Sequence, residues 1–179
     1  MVRLLSGFLS PTSGTIYIND NIIKKSEREN YRNRLGIVMQ EDTLFEGSLL
    51  ENLTLNDPKI TNDDVKWALD AVGLTTIIKW LPMGLDTLVN GRQLTKSVTQ
   101  KIIMARAIIS RPKLLFLEEP TSSMDTESAK KVIDFLTSEK NNWTIVISSV
   151  DEYWKNSCNR HILMENGKIV NDLKITGNA

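Results

Sequence analysis

Cysteine and histidine are nearly absent: Cys158 and His161 are the single examples among 179 residues. One thiol cannot close an intramolecular disulfide, which fits a reducing compartment. A Cys/His zinc site is excluded, as is any catalytic triad not built on His161. An excess of one charge is lacking too. Twenty-two Lys and Arg balance 22 Asp and Glu, so no general field draws the chain onto nucleic acid or an anionic membrane. The basic stretch from Lys24-Lys25 to Arg34 reads as a solvated face. No run approaches ~18 apolar residues, the length that suggests a membrane-spanning helix. The opening apolar run is broken by Gly7, Pro11 and Gly14, unlike a signal peptide. The composition, 41% hydrophobic with 9 Gly and 5 Pro, excludes disordered and collagen-like classes. The length suits one soluble domain with a sizeable core.

Local patterns outline alternating strands and helices. Val2 to Leu9 reads as the end of a helix, stopped by Gly7 and Pro11. Ser13–Ile18 and Ile22-Ile23 flank Asn19-Asp20 as a hairpin. Leu35–Met39, Leu114–Leu117 and Thr144–Ile147 are short apolar runs, the pattern of strands buried on both faces in a parallel sheet. Residues 48–81 read mainly as helices, with Ser48 and Thr61/Asn62 as caps and Gly73 as a stop. A further, almost wholly buried helix covers about 95–109. Asp125 caps another, whose apolar stripe is Ala129, Val132, Ile133 and Leu136. The segment from His161 to Val170 is a hairpin turning at Asn166-Gly167. Strands alternating with helices predict an α/β sheet.

In such sheets reactive groups gather beyond the carboxyl ends of the strands, where Gln40, Glu118-Glu119 and Ser148-Ser149 fall. Neighbours on a strand face opposite sides, so Glu118 and Glu119 are no facing acid/base pair unless the strand ends between them. One arrangement has Glu118 helping to hold a Mg²⁺ shell while Glu119, at the turn, reaches a water. The bland alternative leaves both facing solvent.

The ordered set of motifs is more specific. Ser6–Gly14 resembles the segment after the P-loop of ATP-binding cassette (ABC) ATPases, and Leu35–Ser48 their Q-loop, with Glu51-Asn52-Leu53 following as in exporters. Leu94–Ala107 resembles the signature segment, and Arg111–Asp125 the Walker B strand and D-loop. The resemblance runs in register from about residue 2 to the final hairpin. It implies a P-loop NTPase (ABC ATPase) type sheet flanked by helices, with a helical subdomain at about 48–109 and a core from 1–47 and 110–179. It also implies ATP and Mg²⁺ as ligands, with Glu119 polarising the attacking water. Glu118 would hold Mg²⁺, and Gln40 would bind Mg²⁺ or the attacking water through its amide. Asp125 would lie at the D-loop near a second subunit, and Ser97 where the signature helix begins, a place suited to anions. The implied partners are a transmembrane transporter domain and a second ABC ATPase domain, at the cytoplasmic face of the membrane, with no nucleic acid.

Four departures from the family pattern stand beside this. The chain contains no G-x-x-x-x-G-K-[ST], the loop whose backbone N–H groups and Lys neutralise phosphates. The expectation is that the P-loop and first strands are missing, leaving unpaired edges in the middle of the sheet and a poorly soluble or partner-dependent chain. Leu94-Thr95-Lys96-Ser97-Val98 stands where the signature has L-S-G-G-Q. Glu118 replaces the usual Asp, a methylene longer than a tight Mg²⁺ shell favours. Val150 takes the place of the switch histidine, and His161 reads as structural. Three accounts compete: a fragment of an exporter ATPase, a degenerate non-catalytic cassette partnering another subunit, and an unrelated α/β enzyme. A start directly after the P-loop favours the first, and the altered signature and switch favour the second. Either way the 179 residues alone are expected to bind nucleotide weakly and to lack turnover.

Overall fold

In the computed structural model, residues 1–22, 25–89 and 94–175 are described. Ile23, Lys24 and the stretch 90–93 lie outside them, so part of the first hairpin and of the basic stretch is not covered. Helix α1 (Val2–Leu5) runs into Ser6 and Gly7, whose φ of +78° stops it as the sequence predicts. Strands β1 (Tyr17–Ile18) and β2 (Asn21–Ile22) form the first hairpin. Asn19 and Asp20 take φ of 47° and 62°, the left-handed pair that a two-residue turn requires.

Helix α2 (Arg28–Arg32) has no counterpart in the sequence reading, and it changes the meaning of the basic stretch. Arg32 donates to the Gly7 carbonyl at 3.1 Å, Arg28 bonds Ser10, and Tyr31 donates to the Leu5 carbonyl at 3.1 Å. Burial pushes the Tyr31 phenol up to about 12. These cations therefore fasten α2 to the loop after α1 instead of forming a free solvated face.

Strand β3 (Leu35–Val38) opens the parallel sheet. The next segment folds as β4 (Gly47–Ser48), α3 (Leu49–Thr54), α4 (Asn62–Ala71), α5 (Thr75–Trp80) and β5 (Leu88–Val89), with β4 and β5 paired antiparallel. Ser48 and Thr61 each close a capping box, with Glu51 and Asp64 respectively. Helix α6 (Lys96–Ile108) begins behind the cap Thr95 and buries residues all round, including Ile102, Met104, Ala105 and Ile108.

Strand β6 (Leu114–Glu118), α7 (Thr126–Thr137), β7 (Thr144–Ser148), α8 (Glu152–Ser157), β8 (Arg160–Glu165) and β9 (Lys168–Lys174) complete the chain. The sheet order is β3-β6-β7, all parallel, with Val38 level with Leu117 and Leu117 level with Ile147. Central β6 is buried along Leu115–Leu117, whereas Ile145–Ile147 of β7 are half-buried. Among the described residues β7 pairs only with β6, and β8-β9 forms a separate antiparallel pair. That pair exposes Ile162, Leu163, Ile169, Val170 and Leu173. Among the described residues β7 thus keeps one edge without a strand partner, and the surface of β8-β9 carries apolar side chains.

One core joins both parts: Leu49, Leu53, Val65, Ala68 and Leu74 meet Ile102, Ile108, Leu115, Ile133 and Leu136. Each fully buried Leu or Ile contributes about 1.5–3 kcal/mol. The tightest approach is at Gly36, where a Cβ would stand 2.3 Å from the Ala107 carbonyl and from Leu115 Cδ2. On the far side Trp67, Phe135 and Trp143 pack with ring centroids 5.9–6.4 Å apart, linking α4 to α7 and to the approach to β7. Arg111 lies 4.4 Å over the Trp67 ring and bonds Asp64.

Candidate functional site

The parallel register sets the carboxyl ends of β3, β6 and β7 side by side, with neighbouring strands about 4.8 Å apart. Gln40, two residues beyond β3, sits exposed in a turn built by Met39 and Asp42. The Met39 N–H donates to the Asp42 carboxylate at 2.9 Å, and the Asp42 N–H to the Met39 carbonyl at 3.1 Å. Arg3 of α1 reaches over to Glu41 at 2.8 Å, and the Glu41 carboxylate, with smaller help from Glu118 and Asp42, raises the Arg3 guanidinium above its ordinary value.

Strand β6 ends between the two glutamates. Glu118 is its last residue, while Glu119 turns to φ +45°, the left-handed region that a Glu seldom adopts. Glu118 Oε2 is buried without a hydrogen-bond partner. A buried, unpartnered carboxylate oxygen is costly and fits a cation. Among the described residues no three Asp, Glu, His or Cys gather closely enough to cage a metal alone. Glu118 therefore suits Mg²⁺, which commonly takes one or two carboxylates together with waters and phosphate oxygens.

Glu119 is held from three sides. Its N–H donates to the Ser148 carbonyl at 2.9 Å. Its carboxylate accepts from the Val150 N–H at 3.1 Å and from the Ser149 hydroxyl at 3.2 Å, and its carbonyl accepts from the Gln100 amide at 2.9 Å. The residue expected at the switch position, Val150, thus contributes only backbone, and it is 90% exposed. The side chain that touches Glu119 from this loop is Ser149. His161 Nε2 lies 2.5 Å from the Lys155 carbonyl, within its own segment, in keeping with the structural role read from sequence.

Ser97 is the second residue of α6 and half-buried, with Thr95 as the actual cap. Asp125 is exposed and caps α7. The Ser128 N–H bonds its carboxylate at 2.9 Å and, as the main cause, holds it below the ordinary carboxyl range. Lys101, buried in α6, donates to Ser128 Oγ at 3.0 Å and so links α6 to this first turn.

Sequence reasoning missed Gln100, and it marked Ser149 at a strand end and Asn52 within a motif without giving either a role. Asn52 is wholly buried and clamps the loop before α3, accepting from the Phe45 N–H and donating to the Phe45 and Ser48 carbonyls, all at 3.0 Å. The available signal was an amide inside an otherwise apolar helical pattern, as at Leu49-Leu50-Glu51-Asn52-Leu53.

Comparison with known proteins agrees with this arrangement. A family profile described as ABC transporter matches residues 1–122. The ATP-dependent permease MDL1 of Candida albicans is 33% identical over 178 residues, 96% of this chain and 26% of that protein. Multidrug resistance protein 1 of Entamoeba histolytica is 34% identical over 175 residues, 94% of this chain and 13% of that protein. The chain thus spans about a quarter or less of the length of these relatives. A bacterial Atm1-family ABC exporter, solved with ATP bound, superimposes with a TM-score of 0.88 at 23% identity, covering 95% of this chain and 30% of that one. The profile match, the relatives and the shared fold agree: the chain belongs to the ABC transporter family.

Proposed function

We propose that the chain serves as an exporter-type ATPase domain. In this reading ATP binds at the carboxyl ends of β3, β6 and β7, and its hydrolysis drives export by a transmembrane transporter domain at the cytoplasmic face of the membrane. What supports the reading is the register that sets Gln40, Glu118 and Glu119 at or just beyond the carboxyl ends of adjacent strands, with Glu118 Oε2 buried and unpartnered. Mg²⁺, when bound, supplies the charge neutralisation that phosphoryl transfer needs. Glu118 and Gln40 would hold it. Glu119, kept in place by Ser149 and the Val150 N–H, would polarise the attacking water. Ser97, at the start of α6, and Asp125, at the start of α7, would face a second ABC ATPase domain. The working division is a helical subdomain at 48–109 on a core of 1–47 and 110–179.

A second reading, a degenerate cassette that partners an active subunit, is favoured by one observation. Helix α6 starts at Lys96 behind Thr95, where the family signature places glycines for close backbone approach. Both readings share a prediction for the 179 residues on their own. Two carboxylates repel a polyphosphate, and the nearby cation Arg3 is already engaged by Glu41. ATP with Mg²⁺ should therefore leave the melting temperature of the isolated chain unchanged. Joined behind a segment carrying G-x-x-x-x-G-K-[ST], the chain should show a clear rise and, in the catalytic reading, turnover abolished by Glu119→Gln. A rise without turnover selects the degenerate cassette. Micromolar ATP affinity in the isolated chain would overturn the electrostatic argument.

A further inference from the structure

We propose that Gln100 is the positioning residue for Glu119, coupling helix α6 to the direction of that carboxylate; this rests on reading Glu119 as the group that polarises water. The Gln100 amide spends both ends on a single turn. Its Nε2 donates to the Glu119 carbonyl at 2.9 Å and to Ser122 Oγ at 3.2 Å, while Oε1 accepts from the Ser123 N–H at 2.9 Å. The Ser123 N–H can only donate, so it fixes which end of the amide is oxygen. Ser122 folds back as well, its hydroxyl donating to the same Glu119 carbonyl at 3.0 Å.

Glu119 is therefore pinned by its two backbone groups to two different elements. Its N–H is held by β7 through Ser148, and its carbonyl by α6 through Gln100. Between these anchors φ stands at +45°, a conformation that requires outside support in a non-glycine residue. Only with the backbone so set do the carboxylate oxygens meet Ser149 Oγ and the Val150 N–H. Helix α6 also packs against α3 and α4, and Ile102, Ala105 and Ile108 share one core with Leu49, Leu53 and Ala68. A displacement of those helices is thus delivered by one side chain to the Glu119 carbonyl and swings the carboxylate.

The test is hydrogen exchange by mass spectrometry on the dilute 179-residue chain without nucleotide. It compares Gln100→Met, which keeps volume and helix propensity, with Gln100→Glu, which keeps the acceptor for Ser123 but repels the Glu119 carbonyl. Gln100→Met should raise exchange at both Ser123 and Val150 by roughly tenfold. Gln100→Glu should raise it at Val150 and leave Ser123 protected. Val150 does not touch Gln100, so a residue that merely packs α6 would leave it unmoved. Unchanged Val150 exchange in both variants overturns the coupling, and so does loss of protection along the whole of α6 in step with it. The measurement contains no nucleotide, so a failure of ATP to bind would sink the preceding reading and leave this result standing.

Discussion

Removing the Asn52 side chain should loosen the segment that follows Gln40 by an amount the structure allows one to work out. Asn52 is 0% exposed and satisfies three backbone groups, the Phe45 N–H and the Phe45 and Ser48 carbonyls. An unsatisfied buried polar group costs about 1–3 kcal/mol. Phe45 is near the surface, so water recovers part of that cost, and Asn52→Ala should lose about 3 kcal/mol in all. For a domain of this size that lowers Tm by roughly 6–12 °C. Asn52→Asp sharpens the test, because the new carboxylate keeps the bond from the Phe45 N–H but faces two carbonyl oxygens in a buried place. Burial and those oxygens raise its folded pKa above the unfolded value near 4. The folded state then binds the extra proton, so stability falls as pH rises from about 4 through the raised pKa and levels off above it. Thermal melts of the three proteins at pH 4 and pH 7, at equal ionic strength, measure this. A Tm loss under about 2 °C in Asn52→Ala would refute the reasoning, as would an Asn52→Asp deficit that does not grow with pH.

Asp64 gives a second pH handle. The Thr61 hydroxyl and backbone N–H, with Arg111 behind them, lower its pKa to about 2, so its contribution is fully present above about pH 4 and lost as pH falls toward 2. Asp64→Asn should flatten the dependence of Tm on pH in that window, and an unchanged slope would count against the assignment. Gly36→Ala should destabilise by at least about 1–3 kcal/mol, because a methyl there meets the Ala107 carbonyl and Leu115. A chemical denaturation midpoint equal to that of the parent would show that α6 can back away. The bare edge of β7 and the exposed apolar residues of β8-β9 should make the isolated chain self-associate with concentration. Sedimentation showing a monodisperse monomer with a sharp cooperative melt would contradict that expectation.

Much of this architecture is legible in the amino-acid sequence, for identifiable physical reasons. Leu35–Val38, Leu114–Leu117 and Thr144–Ile147 are too apolar and too short for anything but strands of a parallel sheet, although the burial on both faces that the pattern suggests is met only along Leu115–Leu117 of β6. Asn19-Asp20 and Asn166-Gly167 announced their hairpins because few other residues accept φ above zero. The placing of Gln40, Glu118 and Glu119 at strand ends followed from the alternation of strands and helices. Hidden elements were those whose cause is not local. Helix α2 is short and polar, and it is held by Tyr31 and Arg32 reaching back some 25 residues to α1 and the turn after it. Strands β4 and β5 exist only because distant segments meet across two residues. Gln100 escaped notice because a single amide has no pattern in sequence, and what Ser149 does at its strand end appears only once α6 and β7 are brought beside Glu119.

The tryptophans are distributed so that light can follow the protein's internal joints. Trp67 on α4 and Trp143 ahead of β7 sit 6.4 Å apart with Phe135 against both, close enough for their transitions to couple and to mark the near-ultraviolet dichroism. Trp154 is 1% exposed and donates to Thr121 Oγ1 at 3.0 Å, whereas Trp80 is 82% exposed. Emission from the first should lie to the blue and resist quenchers, while the second reports the solvent side of α5. A separation of the helical layer from the sheet would thus erase the coupled dichroism before either lone chromophore shifted, giving an optical gauge of that joint without any label.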